Sequence, residues 1–319
     1  MTIAVLDDYA GVALRLADWS GLGDVKVFSD YITSVDELVE RLAPFEVLCV
    51  MRERTPITAA LMARLPKLKL IVTTGPRNAS IDLAAAKTHG IVVSSTQSRK
   101  TTTSELAMLM VLALNRRLIP EVTALHGQAG WQAGLGRDLA GLTLGLIGLG
   151  NIGAQMAALG KAFGMKIVAW SQNLTQERCN EVGAERMDTL PTLMARADVS
   201  SVHLVLSERS KCLIGAEAFE AAREGHVFIN TSRGPIVDKS ALLTGLRAGK
   251  PAMAGIDVFD VEPLPADDAL RDKALIESGN LLLTPHLGYT TEATFEVFYT
   301  ETVEAVRAWQ AGQPIRVLA

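Results

Sequence analysis

Short runs of apolar and β-branched residues at 3–6, 25–28, 47–50, 70–73 and 91–94 alternate with amphipathic stretches around 11–17, 35–42, 59–65 and 83–88. This alternation permits few architectures, because each parallel strand must return through a crossover that covers one face of the sheet. The first hundred residues therefore predict a parallel sheet clothed on both sides. The pattern then restarts. A long helix is expected over 101–117, opened by Thr101-Thr102-Thr103-Ser104-Glu105 and closed by Asn115-Arg116-Arg117. A looser Gly-rich segment carrying Trp131 covers 127–141, and further strands are expected at 142–147, 166–170, 199–204, 227–230, 252–258 and 281–283. A last helix over 291–311 closes the chain. No fixed-period repeat or low-complexity tract interrupts the scheme, which argues against a solenoid.

With 319 residues, 49% of them hydrophobic, the chain can fill two ordinary cores, so disorder is excluded. Lys and Arg number 31 against 35 Asp and Glu, and a net charge of −4 offers nothing to nucleic acid or an anionic membrane. The longest uninterrupted apolar run, 106–114, is about half of the roughly 18 residues that a membrane span requires. The N-terminus enters a strand directly, without a basic region and cleavage site, and a cytoplasmic protein is expected. Cys49, Cys179 and Cys212 are odd in number and widely spaced, which suits reduced thiols, and no metal site is expected.

Gly148-Leu149-Gly150-Asn151-Ile152-Gly153 follows an expected strand and opens an expected helix. In that context Gly148 permits a tight turn and the bare backbone at Gly150 lets a pyrophosphate approach. Gly153 lets helix and strand pack closely. The amides of Asn151, Ile152 and Gly153 at the helix start would face the phosphates. A dinucleotide site usually continues with a carboxylate about 20 residues on, at the end of the second strand, bonded to the adenosine ribose. Here that strand ends in Ser171-Gln172-Asn173, and no carboxylate appears before Glu177. Ser171 and Asn173 could donate to a 2′-phosphate, with Arg178 as the one candidate cation, so the cofactor is expected to be NAD or NADP, with NADP favoured.

Three further stretches place polar residues where apolar runs end: Asn230-Thr231-Ser232-Arg233-Gly234, the run from Gly255 through Asp257 to Glu262-Pro263, and Thr284-Pro285-His286-Leu287-Gly288. Each should lie beyond the carboxyl end of a parallel strand, where open α/β sheets bind ligands. Taken singly, each polar residue has an ordinary reading as a cap, a solvated loop or a satisfied buried side chain. Together with 148–153 these stretches resemble the D-isomer-specific 2-hydroxyacid dehydrogenases, which include formate, D-lactate and phosphoglycerate dehydrogenases and glyoxylate/hydroxypyruvate reductases. The likeness spans essentially the whole chain. It includes Arg52-Glu53-Arg54-Thr55, Ser80-Ile81-Asp82, Ser104-Glu105-Leu106, Gly130-Trp131 and the approach Leu139-Ala140-Gly141-Leu142-Thr143-Leu144-Gly145.

The resemblance implies NAD(P)-dependent interconversion of a small 2-keto acid and its D-2-hydroxy acid. His286 would be the acid/base, since imidazole exchanges a proton near neutral pH. Glu262 would pair with His286 and fix its tautomer, while Arg233 would grip the substrate carboxylate. Asp257 matches the family position that contacts the nicotinamide carboxamide. Thr231 and Ser232 would join the cofactor contacts, and His203 would flank the adenine pocket. The family's carboxylate-binding loop after the fourth strand reads Thr74-Gly75-Pro76-Arg77-Asn78-Ala79 here, so Arg52, Gly75, Arg77 and Asn78 are the expected substrate contacts. Arg52, Arg54 and Arg77 admit a phosphorylated substrate, which makes a phosphoglycerate dehydrogenase the alternative within the class. A dinucleotide-sensing regulatory protein is the alternative outside it.

The expected fold is α/β, with two doubly wound parallel-sheet domains. A Rossmann dinucleotide domain at 101–288 is inserted into a discontinuous flavodoxin-like substrate domain made of 1–100 and 289–319. A homodimer is expected from the family, with the apolar helix at 105–114 and the Trp131 segment as contact elements.

Overall fold

The alternation resolves into two parallel sheets in a computed structural model that describes residues 1–128 and 130–319. The expected loose segment at 127–141 includes Ala129, which lies outside the described residues. Contacts divide the chain into one unit of Met1–Arg99 with Thr290–Ala319 and a second of Lys100–Tyr289.

The first unit holds β1 (Thr2–Val5), β2 (Asp24–Val27), β3 (Val47–Val50), β4 (Leu70–Thr73) and β5 (Val92–Ser95). Their order, β2-β1-β3-β4-β5, is the flavodoxin-like arrangement. Residue type follows position in the sheet. The central strands β3 and β4 are buried along their whole length, whereas edge strand β2, Asp-Val-Lys-Val, keeps its charged residues exposed. The covering helices Val35–Leu42, Ala59–Met62 and Leu83–Thr88 begin at Ser34, Thr58 and Asp82. Each of these three side chains accepts a hydrogen bond from a backbone N–H of the first turn.

The second unit holds β6 (Thr143–Ile147), β7 (Lys166–Trp170), β8 (Glu185–Arg186), β9 (Val199–Val202), β10 (Val227–Asn230), β11 (Met253–Ile256) and β12 (Leu281–Leu283). They lie in the order β12-β11-β10-β9-β6-β7-β8, a Rossmann sheet extended by one strand. Period-2 alternation sends neighbouring side chains into opposite cores. Ile147, Val168 and Phe228 pack with Leu193, Phe219 and Leu242 on one face. Leu146, Ile167 and Ile229 pack with Met108, Val111 and Met156 on the other. Burying a side chain such as Phe228 stabilises the unit by roughly 2–3 kcal/mol.

Helix Thr102–Asn115 stops two residues before the expected end. Arg117 takes the left-handed conformation (φ +52°), and a separate helix, Leu118–His126, follows with Pro120 in its first turn. The two-residue edge strand β8 was not expected, being too short to show alternation. The start of β10 buries His226, whose Nδ1 faces Ala197 O at 2.9 Å and whose Nε2 faces Ser200 Oγ at 2.7 Å. One donor and one acceptor satisfy a neutral imidazole. Burial pushes its pKa down to about 4.

Candidate active site

The strand order reverses between β6 and β9, and the glycine-rich turn sits at the carboxyl end of β6. Two of its three glycines are required by the protein itself. Gly148 has φ +103°, and a Cβ there would lie 2.6 Å from His203 O. A Cβ on Gly153 would lie 2.2 Å from Gly148 O. Gly150 is different, because a Cβ there would meet nothing within 4 Å. Among the described residues no contact explains the missing side chain, whereas a phosphate approaching the backbone would.

Helix Asn151–Ala162 starts at Gly150 with no side-chain cap and no acidic residue in its first turn. The N–H groups at its start therefore carry a partial positive charge that no carboxylate of that turn offsets. Beside it, at the ends of β9 and β10, His203 Nε2 and Thr231 Oγ1 are enclosed and have no hydrogen-bond partner among the described residues. Burial pushes the His203 imidazole down to about 3, so the ring is neutral at physiological pH. Enclosed polar atoms without partners are uncommon in native folds. An open glycine, an uncapped helix start and two orphaned polar groups at one switch point fit a bound dinucleotide.

At the end of β7, Ser171, Gln172 and Asn173 bring no carboxylate. The Gln172 Nε2 amide donates to Arg209 O at 3.2 Å, and Arg209 Nη2 donates to Asn173 Oδ1 at 3.4 Å. Arg178, the expected cation, turns elsewhere. Its Nε donates to Leu149 O at 3.0 Å and its Nη1 pairs with Glu181 at 2.9 Å.

Strands β10, β11 and β12 are neighbours, so their carboxyl ends bring the other polar residues to the same edge of the sheet. After β10, Asn230 shapes the turn by accepting from Ser232 N at 3.0 Å and donating to Arg233 O at 3.0 Å. Ser232 Oγ donates to Leu204 O. The half-buried Arg233 donates from Nη1 to Ser232 O at 2.8 Å.

Asp257, fully buried after β11, accepts from Thr284 Oγ1 at 2.6 Å, Leu287 N at 2.7 Å and Gly288 N at 2.9 Å. It thereby fastens the loop that carries His286. Burial raises its pKa above the usual carboxylate value, while these hydrogen bonds act in the opposite direction. The expected carboxamide contact must therefore share a carboxylate already engaged by three donors.

Glu262 follows in the next turn, its Oε1 held by Phe259 N at 2.9 Å and its Oε2 lying 2.5 Å from His286 Nδ1. An ionised carboxylate only accepts, so Nδ1 carries the hydrogen and proton exchange falls to Nε2. His286 itself is left-handed at φ +53°, and the Tyr289 ring stands edge-on to it at 5.1 Å. Non-glycine residues held at positive φ are uncommon and concentrate at functional sites.

In the first unit, the carboxyl edge of the sheet carries the expected substrate-contacting residues. Arg52 is left-handed (φ +50°), and its amide donates to Thr74 Oγ1 at 2.9 Å. Its guanidinium lies across Gly75, where a Cβ would fall 1.6 Å from Nη1. The start of the loop has few free backbone donors. Gly75 N donates to Thr96 Oγ1 at 2.8 Å, and Pro76 has no N–H. The Asn78 side chain is engaged inside the loop, donating to Arg52 O and Thr73 Oγ1 and accepting from Ser80 N. It positions the loop. Arg77 is exposed and makes no hydrogen bond or ion pair among the described residues.

Residues 108–288 match the family described as "D-isomer specific 2-hydroxyacid dehydrogenase, NAD binding domain". Hydroxypyruvate reductase of Thermotoga maritima is 34% identical over 285 residues, which cover 89% of this chain and 90% of that protein. The chain belongs to this dehydrogenase family. D-3-phosphoglycerate dehydrogenase of Methanocaldococcus jannaschii is 32% identical over 92% of the chain. The chain spans only about half of that relative's length, 54%. The crystal structure of phosphoglycerate oxidoreductase from Vibrio cholerae superposes with a TM-score of 0.90 at 35% identity, covering 98% of this chain and 99% of that one.

Against that family background, three participants escaped the sequence reading. Thr284 was quoted only as part of a motif, and its contact with Asp257 spans 27 positions. Asn230 looked like a strand end. Arg209, which follows β9, meets Asn173, 36 positions earlier at the end of β7, although β6 lies between those two strands in the sheet.

Proposed function

We propose that the protein is an NAD(P)-dependent oxidoreductase that interconverts a small 2-keto acid and its D-2-hydroxy acid. The observation that carries this reading is the His286–Glu262 pair, 2.5 Å apart, on the sheet edge that also bears the open glycine turn and Arg233. The nicotinamide, when bound, supplies or takes up the hydride at the substrate's C2.

The chain's own residues do the rest. Gly148, Gly150, Asn151, Ile152 and Gly153 hold the pyrophosphate, and His203, Thr231 and Ser232 flank the dinucleotide. Arg233 grips the substrate carboxylate with its planar fork of donors. In reduction, His286 Nε2 delivers its proton to the carbonyl oxygen as that oxygen gains charge, and the ring is left neutral. Glu262 keeps Nδ1–H directed at itself throughout, which fixes the aim of Nε2. Asp257 holds the His286 loop. In the substrate-binding unit, 1–99 with 290–319, Arg52, Gly75 and Arg77 contact substrate, and Asn78 shapes their loop.

A second reading within the class, D-3-phosphoglycerate dehydrogenase, is favoured by the relatives of that name and by the three arginines of the first unit. We propose a cytoplasmic homodimer. Helix Leu118–His126 buries none of its residues and exposes Leu118, Ile119, Val122 and Leu125, and Leu109 and Trp131 lie exposed on either side of it in sequence. The thiols are free, as a reducing compartment requires.

The test is spectrophotometric oxidation of NADH and NADPH with glyoxylate, hydroxypyruvate, pyruvate and bulkier keto acids, together with 3-phosphoglycerate in the reverse direction. Turnover with one of these acids is expected. Cofactor binding without turnover on any of them would instead mark a dinucleotide-responsive regulator.

A further inference from the structure

We propose that the crevice between the loops after β1 and β3 receives the substituent on C3 of the substrate, and that Tyr9 there selects an uncharged, planar group such as an aryl ring. The proposal rests on the keto-acid reading above and names its substrate class, against the phosphorylated alternative. In the order β2-β1-β3-β4-β5 the strand order reverses between β1 and β3. Open α/β sheets bind ligands at such a reversal, in the crevice outside the carboxyl ends of the strands. Residues 7–9 follow β1 at this point and residues 52–55 follow β3.

Side chains tie the two loops together. Thr55 Oγ1 donates to Asp7 Oδ2 at 2.7 Å, across 48 positions, and the Tyr9 hydroxyl donates to Asp7 Oδ1 at 3.1 Å. The Arg54 guanidinium lies over the Tyr9 ring, 5.4 Å from its centroid. Asp7 is buried and left-handed at φ +59°, and Arg52 on the other loop is left-handed at φ +50°. Two non-glycine residues held in that conformation at one reversal favour a binding role over an ordinary turn. Tyr9 is fastened at its hydroxyl and covered by Arg54, yet 43% of its surface stays open. A ring already fixed in orientation offers a flat apolar surface at little further cost in entropy. The charges around it are matched. Arg52 pairs with Glu53 at 3.8 Å, and the Arg54 charge acts on Asp7. Burial raises the Asp7 pKa, while the Thr55 and Tyr9 hydrogen bonds and Arg54 oppose the rise. A phosphate dianion entering here would meet two carboxylates along with the two guanidinium groups. An uncharged ring would lie on Tyr9 and leave both pairs intact.

The test compares kcat/KM for phenylpyruvate, pyruvate and 3-phosphohydroxypyruvate in the wild-type protein, Tyr9→Ala and Tyr9→Phe, with melting temperatures measured alongside. The wild-type protein is expected to favour phenylpyruvate at least about 10-fold over each of the other two acids. Tyr9→Ala, at an exposed position, should lower the ratio of phenylpyruvate to pyruvate roughly 10-fold, chiefly through KM, because the ring touches a part of the substrate that does not react. Tyr9→Phe keeps the ring and should keep most of the ratio. A wild-type protein that favours pyruvate or the phosphorylated acid, or a folded Tyr9→Ala protein with an unchanged ratio, overturns the proposal and leaves the keto-acid reading standing. Absence of turnover with these three acids and with glyoxylate and hydroxypyruvate overturns both.

Discussion

The glycine turn allows one small chemical change, an added methyl group, to be placed where it harms either folding or binding. At position 153 the new Cβ would lie 2.2 Å from Gly148 O and 3.1 Å from its carbonyl carbon, both of them backbone atoms between strand and helix. Real Cβ contacts stay above 3.0 Å, so the turn itself must move. Overpacking of this kind costs about 1–3 kcal/mol. For a unit of this size that lowers the melting temperature by roughly 3–10 °C. At position 150 the methyl meets no protein atom within 4 Å, and φ is −76°. Only the weaker capping preference of Ala is at stake, about 1 kcal/mol or less. That same methyl occupies the space through which a pyrophosphate reaches the backbone. Losing one charge-assisted amide bond, worth about 1.5–3 kcal/mol, weakens the dinucleotide roughly 10–150-fold. Calorimetric melting and cofactor titration of Gly153→Ala and Gly150→Ala read the two effects separately. A Gly150→Ala protein that binds both NADH and NADPH as the wild type does would refute the argument that the open space at Gly150 serves a ligand.

Asp257→Ala should strand three donors at about 1–3 kcal/mol each, which outweighs relief of the buried charge. A net destabilisation of roughly 3 kcal/mol is expected in urea unfolding, and an unchanged midpoint would show that the His286 loop does not depend on this carboxylate. His226 titrates near its ordinary value of 6.5 when unfolded but only at about 4 when folded, because burial disfavours the charged ring. Its contribution is therefore complete above pH 6.5 and is lost as the pH falls toward 4, amounting to roughly 3 kcal/mol. His226→Gln should flatten part of the stability decline between pH 7 and 4.5, with the neutral His203 accounting for a further share. An equal decline in both proteins contradicts this assignment. Leu125→Glu on the unburied helix should convert a dimer into a monomer by light scattering, and a monomeric wild-type protein would dismiss the interface.

Much of this architecture was legible because parallel strands buried on both faces read as unbroken apolar runs. Val47–Val50 and Leu70–Thr73 are clear examples. What escaped depended on conformation or on distance along the chain. Nothing in Asn115-Arg116-Arg117 announces that Arg117 adopts φ +52° and divides one expected helix into two. The two residues of β8 are too few for a periodic signal. The candidate site residues were picked by type and by their place after apolar runs, and the Glu262–His286 pairing came from the family resemblance, but the other partners were not foreseen. Asn78 looked like a substrate ligand and proves to be engaged in its own loop. Pro76, visible in the sequence all along, removes one backbone donor from the loop expected to contact substrate. Arg178 looked like the cation nearest the end of β7, whereas the bond to Asn173 comes from Arg209 on a different crossover.

The most direct test compares the wild-type protein with His286→Ala for NAD(P)H oxidation by the best keto acid, with cofactor affinity measured in parallel. A fall in kcat of roughly 10²–10⁴ with unchanged cofactor binding and melting temperature is expected if Nε2 of His286 delivers the proton. Near-full turnover in the folded variant would contradict the account.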